Sequence, residues 1–155
     1  MKKLLALTLA LILALMTLAG CGPKVLRGVD AAGNQFELQG DTLTVKGEDG
    51  DVTIAAGGNL SWPKDKTGDL PELSGNVTSV IDTPGGVSVT CDGISKADYD
   101  AYLSKLRGLG YETTYEMTID ENTMIFMGEK DGCGVSVQLH LDGGKGACII
   151  VYGMS

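Results

Sequence analysis

The residues that most often carry nucleophilic catalysis are few in this chain. It has 155 residues and one histidine, His140. Ser61 and Lys64 match the Ser-x-x-Lys pattern, in which a lysine activates a serine nucleophile, and Lys66-Thr67-Gly68 follows at once. Enzymes that use these two motifs place one at a helix start and the other on a distant strand, whereas here both lie in one proline-containing segment. We therefore predict no catalytic residue.

Zinc would require three or four cysteine or histidine ligands that converge on one point. Cys133 and His140 are expected on one strand, at opposite parity and about 23 Å apart at a rise of ~3.3 Å per residue. They cannot share a metal ion.

Acidic turns are the remaining candidates for a metal site. Glu48, Asp49 and Asp51 surround Gly50, and Asp120-Glu121-Asn122 forms a second cluster. Neither has the spacing of a calcium loop, and these residue types are common in tight turns because they tolerate turn geometry. We expect no metal and no cofactor.

The N-terminal segment has the layout of a secretory signal. Lys2 and Lys3 precede an apolar run from Leu4 to Leu18. As a helix that run would extend only about 22 Å, short of the ~30 Å hydrocarbon core, so a permanent membrane span is the weaker interpretation.

The end of this segment, Leu18-Ala19-Gly20-Cys21, resembles the lipobox of bacterial lipoproteins. The resemblance implies cleavage between Gly20 and Cys21 and transfer of diacylglycerol to the Cys21 thiol. It predicts a protein anchored by lipid at the extracytoplasmic face of the cell membrane. The alternative is an ordinary secretory signal followed by a chance cysteine.

With Cys21 acylated, three cysteines remain, so at most one disulfide can form. The predicted strand register separates Cys133 from Cys148 by about 20 Å, which excludes a bond between them. Cys91 could reach either one, depending on strand order. Our default prediction for all three is a buried thiol that packs as a small apolar group.

The charge of the mature chain limits its partners. Of 12 basic and 20 acidic residues, only Lys2 and Lys3 fall in the leader, so the mature part carries 10 basic against 20 acidic residues and a formal charge of −10. Such a surface repels nucleic acid and anionic headgroups. We expect no nucleic-acid partner, and attachment to the membrane through the lipid on Cys21 alone.

The mature chain is predicted to be an α+β domain, because alternating apolar residues recur between glycine-rich turns. Residues 21–34 are assigned to a lipid-anchored tether, 35–56 to a small N-terminal β-meander and 57–75 to an irregular connector. Trp62, Leu70 and Leu73 should pin the connector to the domain. Residues 76–155 are predicted as a ββαββββ unit.

One helix is expected over about 96–109. Ser95 is its predicted N-cap, Asp98 completes a capping box, and Gly110 ends it in the left-handed conformation. An apolar stripe recurs at helical spacing and should pack on one face of the sheet. Its members are Tyr99, Tyr102, Leu103, Leu106 and Leu109.

After Gly110 the chain is predicted to form an antiparallel meander with three two-residue turns. The turn centres are Glu121-Asn122, Asp131-Gly132 and Gly143-Gly144. This register pairs Met117 with Phe126, Ile119 with Met124, Val137 with Phe126, and Leu139 with Cys148. It gathers one apolar face: Tyr115, Met117, Ile119, Met124, Phe126, Gly128, Val135, Val137, Leu139, Leu141, Cys148, Ile150 and Tyr152. The opposite face mixes polar and apolar residues, and we expect the N-terminal meander to cover it.

Short motifs in the connector and helix resemble a group of small, uncharacterised surface lipoproteins of Gram-positive bacteria. In that group a Trp-Pro segment and a Leu-Pro element precede a sheet whose helix reads Tyr-x-x-Tyr-Leu-x-x-Leu and ends in Gly-aromatic. The matching residues are Trp62-Pro63, Leu70-Pro71, Tyr99, Tyr102-Leu103, Leu106 and Gly110-Tyr111. The resemblance covers about 43–155 and implies a domain of unknown function, so no functional residue is transferred.

The sequence therefore predicts a lipid-anchored extracytoplasmic protein that binds an envelope protein or a small ligand and is not an enzyme. The alternatives are a structural or accessory subunit of an envelope complex and, less favoured, an envelope hydrolase.

Overall fold

The computed structural model describes residues 25–29 and 33–154. The leader and Cys21, with the cleavage and lipid attachment expected there, lie outside the described residues. The described ranges form ten strands and one helix: β1 (Val25–Val29), β2 (Gln35–Gln39), β3 (Thr42–Gly47), β4 (Gly50–Leu60), β5 (Asn76–Thr83), β6 (Gly86–Ile94), α1 (Lys96–Gly108), β7 (Glu112–Thr118), β8 (Thr123–Lys130), β9 (Cys133–Asp142) and β10 (Lys145–Met154).

All ten strands belong to one antiparallel sheet, in the order β1-β2-β3-β4-β5-β6-β10-β9-β8-β7. The predicted α+β class is therefore confirmed at the level of a strand-rich antiparallel sheet with one helix. The chain adds each strand beside the previous one except after β6, where α1 intervenes. β10 then returns to pair with β6, which leaves β1 and β7 at the two edges.

The N-terminal meander forms, but its last strand extends to Leu60, four residues into the predicted connector, and it is not a separate layer. β4 pairs with β5, so the first four strands continue the same sheet edge to edge. The prediction that this meander covers the second face of the sheet is therefore wrong. The segment assigned to a tether, 21–34, also contains β1, because Val25–Val29 pairs along its whole length with β2.

The helix begins and ends at the signals in its sequence. Ser95 accepts a hydrogen bond from the Asp98 backbone, and the Asp98 carboxylate accepts one from the Ser95 backbone, which completes the capping box. At the other end the Tyr111 N–H donates to Leu106 O, and Gly110 has a φ of +95°. These features form a Schellman motif, which suits glycine because it has no Cβ.

The hydrophobic core lies between α1 and one face of the sheet. Its helix members are Tyr99, Tyr102, Leu103 and Leu106, and Trp62, Leu70 and Leu73 from the connector join them as predicted. Leu109 is 40% exposed, so its place in the predicted stripe is wrong. The helix has ended by that residue, which is its C-cap. We call this side of the sheet the covered face and the other side the open face.

Two of the three predicted hairpins are confirmed. Phe126 lies opposite Val137, and Leu139 lies opposite Cys148. Both turns contain a residue at positive φ, with Asp131 at +52° and Gly143 at +63°. The strand residues expected on the covered face in β8, β9 and β10 are buried or half-buried there.

The hairpin between β7 and β8 differs from the prediction by one residue. Met117 pairs with Ile125 instead of Phe126, because the connection is a longer loop closed by a hydrogen bond from Ile119 N–H to Thr123 O. A one-residue shift turns every side chain of a strand to the other face. Tyr115 and Met117 consequently lie on the open face, and their predicted burial, with that of Ile119, is wrong.

Candidate functional site

The open face carries a broad apolar surface, and its C-terminal half has a regular pattern. The central side chains of β8 and β10 on this face are apolar: Ile125 and Met127 on β8, between Thr123 and Glu129 at its ends, and Ile149 and Val151 on β10. The β9 side chains between them are polar: Ser136, Gln138 and His140. This alternation by strand follows from the pairing of β9 with both neighbours. It explains why the sequence of this face looks mixed.

The N-terminal half of the open face is more uniformly apolar. In β2 to β4 the apolar residues of each alternating strand turn to this side and accumulate on one face. In β1 only Leu26 joins them, because Val25 and Val29 lie on the other side of the sheet. The residues are Leu26, Phe36, Leu38, Leu43, Val45, Val52 and Ile54. The row continues into the second half, because Ile54 lies opposite Ile81 and Ile81 lies opposite Ser88.

A shallow trough of about 480 Å³ lies on the open face across β5 to β10. A row of three glycines runs through it, since Gly86 and Gly134 both pair with Gly153. Because glycine has no side chain, this row forms a depression between the side chains of the neighbouring positions. At Gly153 a Cβ would come within 2.3 Å of Gly85 O, so this position accepts only glycine.

The trough combines apolar walls with hydroxyl groups. Ile81, Met127 and Val151 supply exposed apolar side chains. Ser136 lies between the last two in the same cross-strand row. Its Oγ is shielded from solvent and has no hydrogen-bond partner within residues 25–29 and 33–154. A buried hydroxyl without a partner costs free energy, and a ligand atom that supplies the bond would recover it.

The residues singled out for catalysis or metal binding are not brought together. His140 is four residues from Ser136 on β9, about 13 Å from that edge of the trough at ~3.3 Å per residue. Its Nδ1 lies 3.2 Å from Thr123 Oγ1. Lys64 forms an ion pair with Glu72, and Lys66 forms one with Asp82. In the part of the chain that the structure describes, no group of three or more metal-ligating side chains converges.

The strand order resolves the alternatives left open for Cys91. It lies directly opposite Cys148 across β6 and β10, and both thiols are free and fully buried on the covered face. Burial raises the pKa of Cys91 to about 11 and that of Cys148 to about 12. Cys133 is half-buried and pairs with Met154, so the predicted distance from Cys148 holds. These thiols belong to the core and not to the trough.

A polar cluster fastens the connector to the sheet beside α1. Tyr111 donates a hydrogen bond to Asp69 Oδ1 at 2.8 Å, and Lys130 pairs with Asp69 Oδ2. The bond from Lys130, followed by that from Tyr111, holds the pKa of Asp69 below its ordinary value. Each carboxylate oxygen of Asp69 therefore accepts a hydrogen bond, and these bonds hold the irregular connector against the sheet.

Within the described residues, no helix has the length and apolar character that crossing a membrane would require. Comparison with protein-family models, with curated proteins and with solved structures finds no match to this chain.

The trough was not foreseen from sequence. Its residues are spread over six strands, and the predicted cover would have hidden the face on which it lies. The one local signal is glycine inside otherwise apolar strands, at positions 134 and 153, because strand glycines often mark a close approach or a depression.

Proposed function

We propose that this protein is a lipid-anchored, extracytoplasmic binding module, and that the trough on the open face is its ligand site. The observation that carries the proposal is the uncovered apolar surface around Val151 and Met127, with the unpartnered Ser136 hydroxyl between them. Apolar patches that stay exposed on a folded domain commonly mark interaction sites. The trough suits a ligand with an apolar body and one hydrogen-bonding group.

The proposal includes no catalytic step. Among the acidic groups of the described chain, Glu129 borders the trough. Hydrolysis by paired carboxylates would need a second acid at a defined separation across the same cleft. We therefore favour binding over an envelope hydrolase.

A second candidate function is an accessory subunit of an envelope complex. The cross-strand row from Leu26 to Tyr115, which is apolar except at Ser88 and Ser136, favours it, since obligate partners bury larger apolar surfaces than transient ligands do. The two candidate functions predict different behaviour of the protein in solution. An accessory subunit should aggregate or recruit its partner when detached from the membrane, whereas a binding module should be a stable monomer.

Binding at the trough is tested by photo-crosslinking in the host membrane. A photoreactive side chain at Val151, which is 44% exposed on the open face, should give a defined adduct. The matched control is Leu109, 40% exposed at the end of α1 on the other side. Equal labelling at both positions, or none at Val151, would contradict the trough as a ligand site.

Anchoring is tested with Cys21→Ala, which removes the thiol that would be acylated. We expect the variant to leave the membrane fraction or to be retained unprocessed. Cys133→Ala is the matched control, since Cys133 is half-buried within the domain. A Cys21→Ala protein that fractionates and is processed like the control would argue against the anchor.

A further inference from the structure

The first strand of the sheet begins very close to the expected anchor. β1 starts at Val25, four residues after Cys21. Even fully extended, four residues span only about 14 Å. If the lipid on Cys21 lies in the bilayer, β1 begins within about 14 Å of the acylated residue, which is close enough for the first strands to reach the headgroup layer. This step rests on the proposed function, which supplies the acylated cysteine.

The two strands that follow β1 in the sheet, β2 and β3, are amphipathic. On the open face, β1 to β3 present apolar side chains, with Leu26 45% exposed at the edge. On the other side of the same strands Arg27 pairs with Glu37 at 2.9 Å, and the β2 and β3 positions are polar, whereas β1 itself places Val25 and Val29 there. A surface of this kind lies in the membrane interface with its apolar side towards the acyl chains.

Residues of the domain core do not cover the open face of β1 to β3. The core residues run from Trp62 to Ile150, and no residue described before Trp62 is buried. β1 has one neighbouring strand, β2, so its outer backbone edge is unpaired in the described chain. Unpaired backbone is excluded from the hydrocarbon interior but is satisfied by water and headgroups, which sets the depth of contact at the interface.

Twist confines the contact to the first strands. Adjacent strands are rotated by about 20 to 25°, so six steps from β1 to β10 turn the open face by more than about 90°. The same six steps carry β10 about 29 Å along the sheet at ~4.8 Å per strand. The trough therefore points away from the bilayer while β1 to β3 lie against it.

We propose that the open face of β1 to β3, centred on Leu26 and Leu38, is a second membrane contact that docks the domain on the bilayer beside its lipid anchor. The occupant is the lipid surface itself. Because the domain is acidic, the contact is apolar and does not depend on anionic lipid. It fixes the orientation of the sheet and keeps the trough exposed.

The test compares tryptophan probes at Leu26 and Val151, which have nearly equal exposure, 45% and 44%, on the same face. The full-length protein is purified from membranes, acylation of Cys21 is verified by mass spectrometry, and the protein is reconstituted in phosphatidylcholine vesicles with brominated acyl chains. The native Trp62 is 6% exposed in the core and serves as the constant background. Arg27→Trp reports on the opposite side of β1.

Bromine should reduce the emission added by Leu26→Trp about twofold, as expected for a ring at the boundary of headgroups and acyl chains. Emission from Val151→Trp and Arg27→Trp should be unchanged. Leu38→Trp, on the neighbouring strand, provides a second probe if Leu26→Trp alters the urea unfolding midpoint. Its emission should also fall.

Three results would overturn the proposal, and only the first would also contradict the lipid anchor. If Cys21 is unmodified, the anchor and the contact both fail. If Cys21 is acylated but bromine quenches Leu26→Trp and Leu38→Trp no more than Val151→Trp, the contact alone fails. A blue shift at position 26 without quenching means that a second copy or another protein covers this surface, which also refutes a lipid contact.

Discussion

The packing of α1 on the covered face leads to a specific prediction for Leu106. Its side chain is 0% exposed, whereas Leu109, the C-cap of the same helix, is 40% exposed. Truncation of a fully buried leucine removes its transfer free energy and leaves a cavity, which together cost about 2 to 5 kcal/mol. We therefore expect Leu106→Ala to lower the free energy of unfolding by that amount.

Leu109→Ala is the matched control. It removes the same atoms from a site that water already reaches, so it should cost less than about 1 kcal/mol. Leu109 is the C-cap and Leu106 lies inside the helix, but alanine and leucine have similar helix propensities, so the pair differs mainly in burial.

The measurement is urea unfolding followed by the fluorescence of Trp62, the single tryptophan of the chain. Trp62 belongs to the same core cluster as Leu106, so its emission reports on this packing. At a slope of about 1 to 3 kcal/mol per molar, Leu106→Ala should lower the midpoint by roughly 1 M or more. Equal midpoints for the two variants would refute the packing of the helix against the sheet.

Three further predictions follow from the sites described above. With Cys21 acylated or replaced, only Cys133 of the three remaining cysteines should react readily with a thiol reagent at about pH 8. Burial raises the pKa of Cys91 to about 11 and that of Cys148 to about 12. All three thiols should react after unfolding, and equal reaction rates in the native protein would contradict the burial of Cys91 and Cys148. The bond from Lys130 lowers the pKa of Asp69 from 3.8, so its stabilisation is present above that value and is lost as pH falls through the lowered pKa. Asp69→Asn should therefore be less stable than the wild type in urea at about pH 6, with a smaller difference at about pH 3, and a pH-independent difference would count against the anchor. Ser95→Ala should lower the free energy of unfolding by about 0.5 to 2 kcal/mol through loss of the N-cap. Ser104→Ala, at an exposed position of the same helix, should lower it much less. Similar urea midpoints for the two variants would argue against the cap.

The elements that could be predicted from the sequence are those specified by local signals. The helix from Lys96 carries both caps within its own sequence, and the Asp131-Gly132 and Gly143-Gly144 turns carry residues that accept positive φ. Each such signal acts over a few residues, so it needs no knowledge of the rest of the fold. Alternation in β2 to β4 was equally local and gave the correct facing.

The features that could not be predicted depend on long-range pairing. Sequence periodicity gives the two faces of β7 but not its register, which is shifted by the Ile119 to Thr123 loop closure and by an irregularity between Thr113 and Tyr115. It also identified the N-terminal meander without showing that β4 pairs with β5. Both errors concern the open face. A covering meander would have buried its apolar residues, and the predicted register of β7 would have turned Tyr115 and Met117 to the covered face.

The uneven distribution of the core connects stability to orientation at the membrane. Ordering a residue costs about 1 to 2 kcal/mol of backbone entropy, and buried apolar contacts normally offset that cost. β5, β6 and β8 to β10 have such contacts beneath α1, whereas β1 to β3 have only strand pairing and exposed or half-buried apolar side chains. Contact with a lipid surface would supply the missing apolar burial to the part of the sheet nearest Cys21. The domain's least stable region would then be ordered by the membrane, and the well-packed half would hold the trough outward with a fixed geometry.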